Sequence, residues 1–168
     1  SKSVRQGISN SLMIVDMPFN TYKNPKQALK NCKKVMNLTK CDGVKLEGGI
    51  KIVKIVKILV KNKIPVMGHL GILPQSTKGK FKSKGKSSKE IKEIVRDSKL
   101  LENAGVFSIV LECVEKKLAK EITRLISIPT IGIGSSNNCD GQVLVTDDIL
   151  GLTDSKIKFV KKFSDVKK

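Results

Sequence analysis

Residues 43–49, GVKLEGG, have the pattern of a short buried strand that ends in a tight turn. The apolar Val44 and Leu46 alternate with Lys45 and Glu47, and two glycines follow. Successive side chains of a strand point to opposite faces, so Lys45 and Glu47 share one face. The stretch therefore predicts a buried strand that directs a lysine and a carboxylate the same way, just before the chain turns.

Six short apolar runs of this kind occur along the chain, and helical patterns separate them. The predicted strands are residues 12–16, 43–47, 65–69, 108–112, 129–133 and 142–146. Continuous runs of Val, Ile and Leu are typical of parallel strands that are covered on both faces. The helical patterns cover about residues 25–36, 50–60, 88–104 and 118–126. This alternation predicts an α/β fold, either a β/α barrel or a doubly wound sheet.

Four polar residues stand at the C-terminal ends of four different predicted strands. They are Asp16, Glu47, His69 and Glu112. In β/α barrels the catalytic residues collect at this rim. The constellation favours a barrel over a doubly wound sheet, and it predicts a single domain over residues 1–168 with its site at the rim.

The formal net charge of +18 on 168 residues raises the question of nucleic-acid binding. Only Arg5, Arg96 and Arg124 among the 33 basic residues are arginine, whereas bidentate contacts to phosphates and bases favour guanidinium groups. Aromatic residues make up 4% of the chain, so base stacking is not indicated. We interpret the charge as a solvated lysine-rich surface and expect no nucleic-acid partner.

The cysteine pattern and the hydropathy indicate a protein of a reducing compartment. Cys32, Cys41, Cys113 and Cys139 form no C-x-x-C pair, and their spacing fits neither a zinc site nor a compact disulfide scaffold. No apolar run of about 18 residues exists, and no secretory leader is recognisable at the N-terminus. We therefore expect a cytoplasmic protein with no membrane partner.

Residues 76–89, STKGKFKSKGKSSK, interrupt the alternation of strands and helices. The segment is polar, basic and punctuated by glycine, with Phe81 as its one bulky apolar residue. A loop of this length in a compact domain is usually functional or mobile. We expect a basic flexible loop, and the sequence leaves open whether it is an active-site lid or a disordered surface segment.

Each residue of the rim has a chemical and a structural interpretation. Asp16 and Glu47 suit Mg²⁺, which one or two carboxylates often hold together with waters and substrate oxygens. Pairing with lysines is the alternative. Lys45 either neutralises a neighbouring carboxylate or holds a substrate carboxylate. Glu112 is a candidate general base or a structural ion-pair partner, and His69 is a candidate neighbour of the site or a hydrogen-bonded structural residue.

Five blocks of the sequence resemble the ketopantoate hydroxymethyltransferase family. They are VDMPF at 15–19, VKLEGG at 44–49, GHLGILPQS at 68–76, LEC at 111–113 and IPTIGIGSSNNCDGQVLVTDDILGL at 128–152. Their order and spacing agree with the family, and the similarity runs from about residue 1 to about residue 163.

The resemblance implies a (β/α)8 TIM barrel and a one-carbon transfer that leads to pantothenate and coenzyme A. The family moves a hydroxymethyl group from 5,10-methylenetetrahydrofolate to 3-methyl-2-oxobutanoate, which gives 2-dehydropantoate (ketopantoate). For the matching positions, the resemblance implies that Asp16 and Glu47 are Mg²⁺ ligands and that Asp16 and Lys45 bind the keto acid. It also implies that Glu112 is the catalytic base. Family members form symmetric oligomers, so a homo-oligomer is expected of the complete protein.

Residues 12–16 resemble the family's third strand, so we expect strands 3 to 8 of the barrel and an N-terminally truncated chain. The family's first two units carry an Asp-Ser pair that supplies another metal ligand and a substrate contact. One alternative is therefore a catalytically inactive remnant of this enzyme.

Another alternative is a Mg-dependent keto-acid barrel enzyme of the phosphoenolpyruvate mutase and isocitrate lyase type. Such an enzyme would carry a catalytic cysteine in its lid, and residues 76–89 contain none. A separate hypothesis concerns the same loop: Lys78, Lys80 and Lys82 attract the polyglutamate tail of cellular folates.

Overall fold

A six-stranded parallel sheet organises the described part of the computed structural model, which comprises residues 1–77, 82–153, 157 and 159–167. Every neighbouring pair of strands is parallel. The strands are β1 Ile14–Asp16, β2 Gly43–Glu47, β3 Val66–Gly71, β4 Ser108–Glu112, β5 Thr130–Ile133 and β6 Gly141–Gln142.

The order of the strands distinguishes the two folds that the sequence left open. A doubly wound sheet reverses its strand order at a switch point. In this sheet the spatial order follows the chain from β1 to β6 without reversal, as in a β/α barrel. The prediction of an incomplete barrel is confirmed at this level: the six strands form a curled part of a β/α barrel.

The four predicted helices are present, and two short helices were not predicted. The helices are α1 Lys2–Gln6, α2 Pro25–Thr39, α3 Val53–Lys61, α4 Ser88–Ala104, α5 Lys116–Leu125 and α6 Thr146–Ile149, with a 3-10 turn over Ile50–Ile52 before α3. At the start of α2, the Asn24 side chain accepts a hydrogen bond from the N–H of Gln27 at 2.9 Å, which is an N-cap. None of the helices in the described residues is long and apolar enough to cross a membrane.

Ser87 and Glu90 form one half of a capping box at the start of α4. Ser87 Oγ accepts a hydrogen bond from the N–H of Glu90 at 3.2 Å. The Glu90 carboxylate accepts from the N–H groups of Gly85 and Lys86, at 3.1 and 3.2 Å, rather than from Ser87. The acid therefore holds the end of the preceding loop in place as well as the start of the helix.

The C-terminal ends of two strands, β3 and β6, differ from the prediction. β6 ends at Gln142, and Thr146 begins α6, although residues 142–146 were predicted as one strand. Val143 and Val145 are 44% and 50% exposed, so this apolar run is not buried in the sheet. β3 in turn continues to Gly71, which places His69 inside the strand rather than at its last position.

Part of the predicted basic loop lies outside the described residues. Residues 78–81 are not described, so Lys78 and Lys80 of the polyglutamate hypothesis lie outside the described structure. At its other end the segment is shorter than predicted, because α4 already begins at Ser88.

The alternation of side chains along the strands separates the core from the site. Leu46 of β2 is fully buried in a cluster that it shares with apolar side chains of the helices. Lys45 and Glu47 lie on the opposite face of β2. The strand register places Asp16 beside Lys45 and Glu47 beside His69. The sheet therefore gathers the polar residues of neighbouring strands on one face.

Candidate functional site

Four of the predicted site residues form a continuous chain of polar contacts across β1 to β4. Lys45 Nζ lies 3.0 Å from Asp16 Oδ2 and 3.2 Å from His69 Nδ1. On the other side of the imidazole ring, His69 Nε2 lies 3.2 Å from Glu112 Oε2. Each residue comes from a different strand, so the parallel register of the sheet creates this order.

Burial increases towards the middle of this chain of contacts. The Asp16 side chain is 46% exposed and that of Lys45 21%, whereas the His69 side chain is 1% exposed and that of Glu112 16%. The ring nitrogen Nε2 of His69 has no aligned hydrogen bond, although Glu112 Oε2 is within ion-pair distance. Buried polar atoms without a hydrogen bond are rare in folded proteins, so this nitrogen calls for an explanation.

Glu47 joins the site through Gln75. The backbone N–H of Gln75 donates to Glu47 Oε2 at 3.2 Å, and its amide N–H donates to Asp16 Oδ1 at 3.4 Å and to the carbonyl of Met17 at 3.1 Å. Glu47 itself is buried, with 7% of its surface exposed. One glutamine therefore holds both of the carboxylates that the resemblance assigns to Mg²⁺.

The oxygen atoms around Gln75 fit a magnesium ion. Gln75 Oε1 is buried and has no hydrogen-bond partner in the described structure, and it belongs to the residue that bridges Asp16 and Glu47. Within the described ranges, no three or more His, Cys, Asp or Glu side chains gather into a metal cluster. Mg²⁺ needs no such cluster, because it is often held by one or two carboxylates with waters and substrate oxygens.

Burial raises the pKa of Glu47, and the N–H group of Gln75 opposes that rise in part. A raised pKa means that the folded chain holds this proton to higher pH than the unfolded chain does. The free energy of unfolding therefore falls as pH rises from the ordinary value of a glutamate through the raised value.

Replacing Glu47 with glutamine is expected to remove this loss of stability. In Mg²⁺-free buffer, Glu47→Gln should gain stability relative to the unsubstituted chain as pH rises through that window, since the amide does not ionise and can still accept from Gln75. Urea unfolding at several pH values measures the difference. Glu121→Gln, on an exposed position of α5, is the matched control, and identical pH profiles for Glu47→Gln and the unsubstituted chain would contradict the expectation.

The described end of the basic loop is hydrogen-bonded to the residues that follow Glu112 in the chain. The N–H of Lys84 donates to the Cys113 carbonyl at 2.8 Å, and the N–H of Glu115 donates to the Lys84 carbonyl at 2.9 Å. Ser83 Oγ donates to Glu115 Oε1 at 2.6 Å. The loop that follows β3 thus fixes the connection that follows β4.

The structure brings all five predicted site residues to one region, and it adds two that sequence reasoning missed. Gln75 lies in the block GHLGILPQS, which was the only signal for it. The Tyr22 hydroxyl accepts a hydrogen bond from the N–H of Glu47 at 3.3 Å, and no sequence pattern indicated this contact. Both residues line a cleft of about 170 Å³ beside Glu47.

Comparisons with known proteins agree with the resemblance. The family model described as ketopantoate hydroxymethyltransferase matches residues 1–168. Relatives named 3-methyl-2-oxobutanoate hydroxymethyltransferase include one from Pelagibacter ubique, 65% identical over 168 residues, which are 100% of this chain and 65% of that protein. One from Clostridium botulinum is 50% identical over 170 residues, covering 99% of this chain and 62% of that protein. The chain therefore spans somewhat less than two thirds of the length of these curated relatives.

Proposed function

Since the chain belongs to the ketopantoate hydroxymethyltransferase family, we propose that it transfers a hydroxymethyl group from 5,10-methylenetetrahydrofolate to 3-methyl-2-oxobutanoate. The product is 2-dehydropantoate, a precursor of pantothenate and coenzyme A. The observation that carries the proposal is the row of contacts from Asp16 through Lys45 and His69 to Glu112. It sets a cation for a substrate carboxylate and a carboxylate base within one site.

Lys45 is proposed to bind the carboxylate of the keto acid. An ammonium group has three N–H donors, and Asp16 and His69 lie at hydrogen-bond distance from Nζ and engage two of them. The third donor remains for a ligand, and the side chain is 21% exposed and thus accessible. Asp16 holds the ammonium group in place while it makes this contact.

Glu112 is proposed to take the proton from C3 of the keto acid. This proton lies alpha to the ketone, and its removal leaves a carbon nucleophile that attacks the methylene group of the folate. Glu112 is the last residue of β4. Its side chain is 16% exposed, and one of its oxygens lies beside His69. The other oxygen is available to accept the proton.

Asp16 and Glu47 are the residues that would hold Mg²⁺, with Gln75 fixing both carboxylates. When bound, Mg²⁺ supplies Lewis-acid polarisation of the ketone oxygen. Glu47 is buried and Asp16 is half exposed, so the two carboxylates present one inner and one outer oxygen donor to the same region.

The test of this function is exchange of the C3 proton of 3-methyl-2-oxobutanoate in D₂O, followed by NMR. The chain with Mg²⁺ is expected to exchange this proton well above the rate of a protein-free sample, and EDTA should reduce the exchange. Adding 5,10-methylenetetrahydrofolate should then yield 2-dehydropantoate. Absence of exchange from protein that circular dichroism shows to be folded would overturn the proposal for this chain.

Two alternatives from the sequence are not favoured by the comparisons. Relatives are named as hydroxymethyltransferases rather than as mutases or lyases. The inactive-remnant hypothesis rests on the family's first two units and not on the residues assigned to the site here, because Asp16, Lys45, Glu47 and Glu112 are all present.

Three finer points belong to the same proposal. β1 to β6 are proposed to correspond to strands 3 to 8 of the family barrel. The protein is proposed to act as a homo-oligomer, as its family does. Its four free cysteines support a reducing cytoplasm as the place of action.

A further inference from the structure

We propose that His69 is a positioning residue for Glu112, and that Lys45 sets its role by fixing the tautomer of the imidazole ring. The ring is neutral and carries its proton on Nε2, and this N–H group orients the carboxylate of Glu112. The tautomer follows from the contacts alone, whereas the positioning of a catalytic base rests on the proposed function.

The contact on the Nδ1 side determines the tautomer. Lys45 Nζ lies 3.2 Å from His69 Nδ1. A lysine ammonium group can only donate hydrogen bonds, so Nδ1 must be the acceptor and carries no proton. A doubly protonated ring would set two donors and two positive charges against each other at this distance. The proton of the ring is therefore on Nε2.

The contact on the Nε2 side identifies the group that faces this proton. Glu112 Oε2 lies 3.2 Å from Nε2, and a carboxylate oxygen is an acceptor. The His69 side chain is only 1% exposed, so water has little access to the ring as an alternative partner. Among the described residues, Glu112 is thus the acceptor that the buried N–H group faces.

The incomplete alignment of this contact fits a free enzyme. Nε2 and Oε2 are close enough to interact, but no hydrogen bond is aligned between them. Catalytic hydrogen bonds are often poorly aligned in free enzymes and tighten when the substrate binds. A small rotation of the Glu112 carboxylate on substrate binding would complete the bond and leave the second oxygen facing C3.

A neutral His69 N–H suits the role of Glu112 as a base better than a positively charged imidazolium would. Asp16 balances the charge of Lys45 at 3.0 Å, and the neutral ring stands between that ion pair and Glu112. The ring therefore orients the carboxylate without adding a formal positive charge beside it. The Glu112 carboxylate can then accept the substrate proton without a cation at His69 opposing it.

The tautomer can be measured without substrate, because His69 is the only histidine of the chain. In ¹⁵N–¹H correlation spectra of the Mg²⁺-free chain at mildly alkaline pH, we expect one protonated nitrogen, Nε2, and one unprotonated nitrogen, Nδ1. In Lys45→Met the two nitrogens should move towards the averaged positions of a ring that exchanges between both tautomers. Glu112→Gln should keep the Nε2–H tautomer, since its amide oxygen still accepts.

A proton on Nδ1 in the unsubstituted chain, or an unchanged spectrum in Lys45→Met, would overturn the assignment of the tautomer. These outcomes do not depend on catalysis. Failure of the proposed function, seen as absence of C3 exchange, is therefore distinguishable from failure of this inference.

Two substitutions of His69 then separate a positioning role from a merely structural one. His69→Gln places an amide N–H near the former Nε2 and can still donate to Glu112. His69→Asn keeps a polar group near the former Nδ1, facing Lys45, but does not reach Glu112. We expect the asparagine variant to lose about 10²-fold in the rate of C3 exchange, as a misplaced catalytic group does, with little change in half-saturation by the keto acid. The glutamine variant should retain most of the rate, and equal rates in the two variants would overturn the positioning role.

Discussion

Replacing Glu112 with glutamine is expected to lower the rate of C3 proton exchange from 3-methyl-2-oxobutanoate by about 10²- to 10⁴-fold, the range that general bases contribute. Glutamine keeps the size of the side chain and an oxygen that can accept from His69 Nε2. It cannot take up a proton from the substrate. The exchange rate in D₂O with Mg²⁺, measured by NMR at saturating keto acid, reports this loss.

Glu115→Gln is the matched control for Glu112→Gln. Glu115 lies on the same connection after β4. Its carboxylate contacts Ser83 and Lys86 and takes no part in the row of contacts from Asp16 to Glu112. Its exchange rate should remain within about twofold of the unsubstituted chain, since exposed pairs of this kind contribute little. If Glu112→Gln exchanged the C3 proton as fast as Glu115→Gln does, the base would have to be another residue.

Much of the fold was predictable from local patterns, because each strand carries its own signal. β2 and β4 match the predicted ranges to the residue. β6 was overestimated since Val143 and Val145 look like strand residues in sequence but are largely exposed in the structure. Burial is a property of the whole fold, so a short apolar run alone could not reveal it.

The site was predictable where a residue ends a strand and not where a loop delivers it. Asp16, Glu47 and Glu112 end their strands, and the parallel register brings such ends together. Gln75 reaches Asp16 over 59 positions of sequence, and nothing local to Gln75 indicates where its loop turns back. Long-range contacts of this kind depend on the tertiary path of the chain.

The backbone conformation of the connection after β4 was likewise not predictable from the local sequence. Cys113 has a φ of 50°, in the left-handed region that non-glycine residues seldom adopt. Its carbonyl is held by the N–H of Lys84, and its N–H donates to the Ile133 carbonyl at 2.9 Å. Contacts from two distant segments therefore maintain a conformation that the sequence LEC does not predict.

Gly71 is a backbone position where β3 and β4 leave no room for a side chain. It ends β3 with a φ of 94°, and the register pairs it with Glu112. A Cβ at this position would collide with the carbonyl oxygen of Glu112 and would lie 2.7 Å from Val114 Cγ2. The carbonyl oxygen cannot move aside easily, because it accepts the N–H of Ile72 at 2.9 Å.

Replacing Gly71 with alanine is therefore expected to lower the free energy of unfolding by about 3 kcal/mol or more, since the strained φ alone costs about 1–3 kcal/mol and the collision adds to it. Urea unfolding measures this loss. Gly7→Ala is the matched control: Gly7 has a φ of −92° and its Cβ would meet only the Val4 carbonyl at 3.7 Å, so the change should stay within about 0.5 kcal/mol. Equal stability of the two variants would mean that β3 and β4 can separate at this point without cost. In that case the pairing of β4 with β3 would not be what fixes Glu112 in the row of contacts with Asp16, Lys45 and His69.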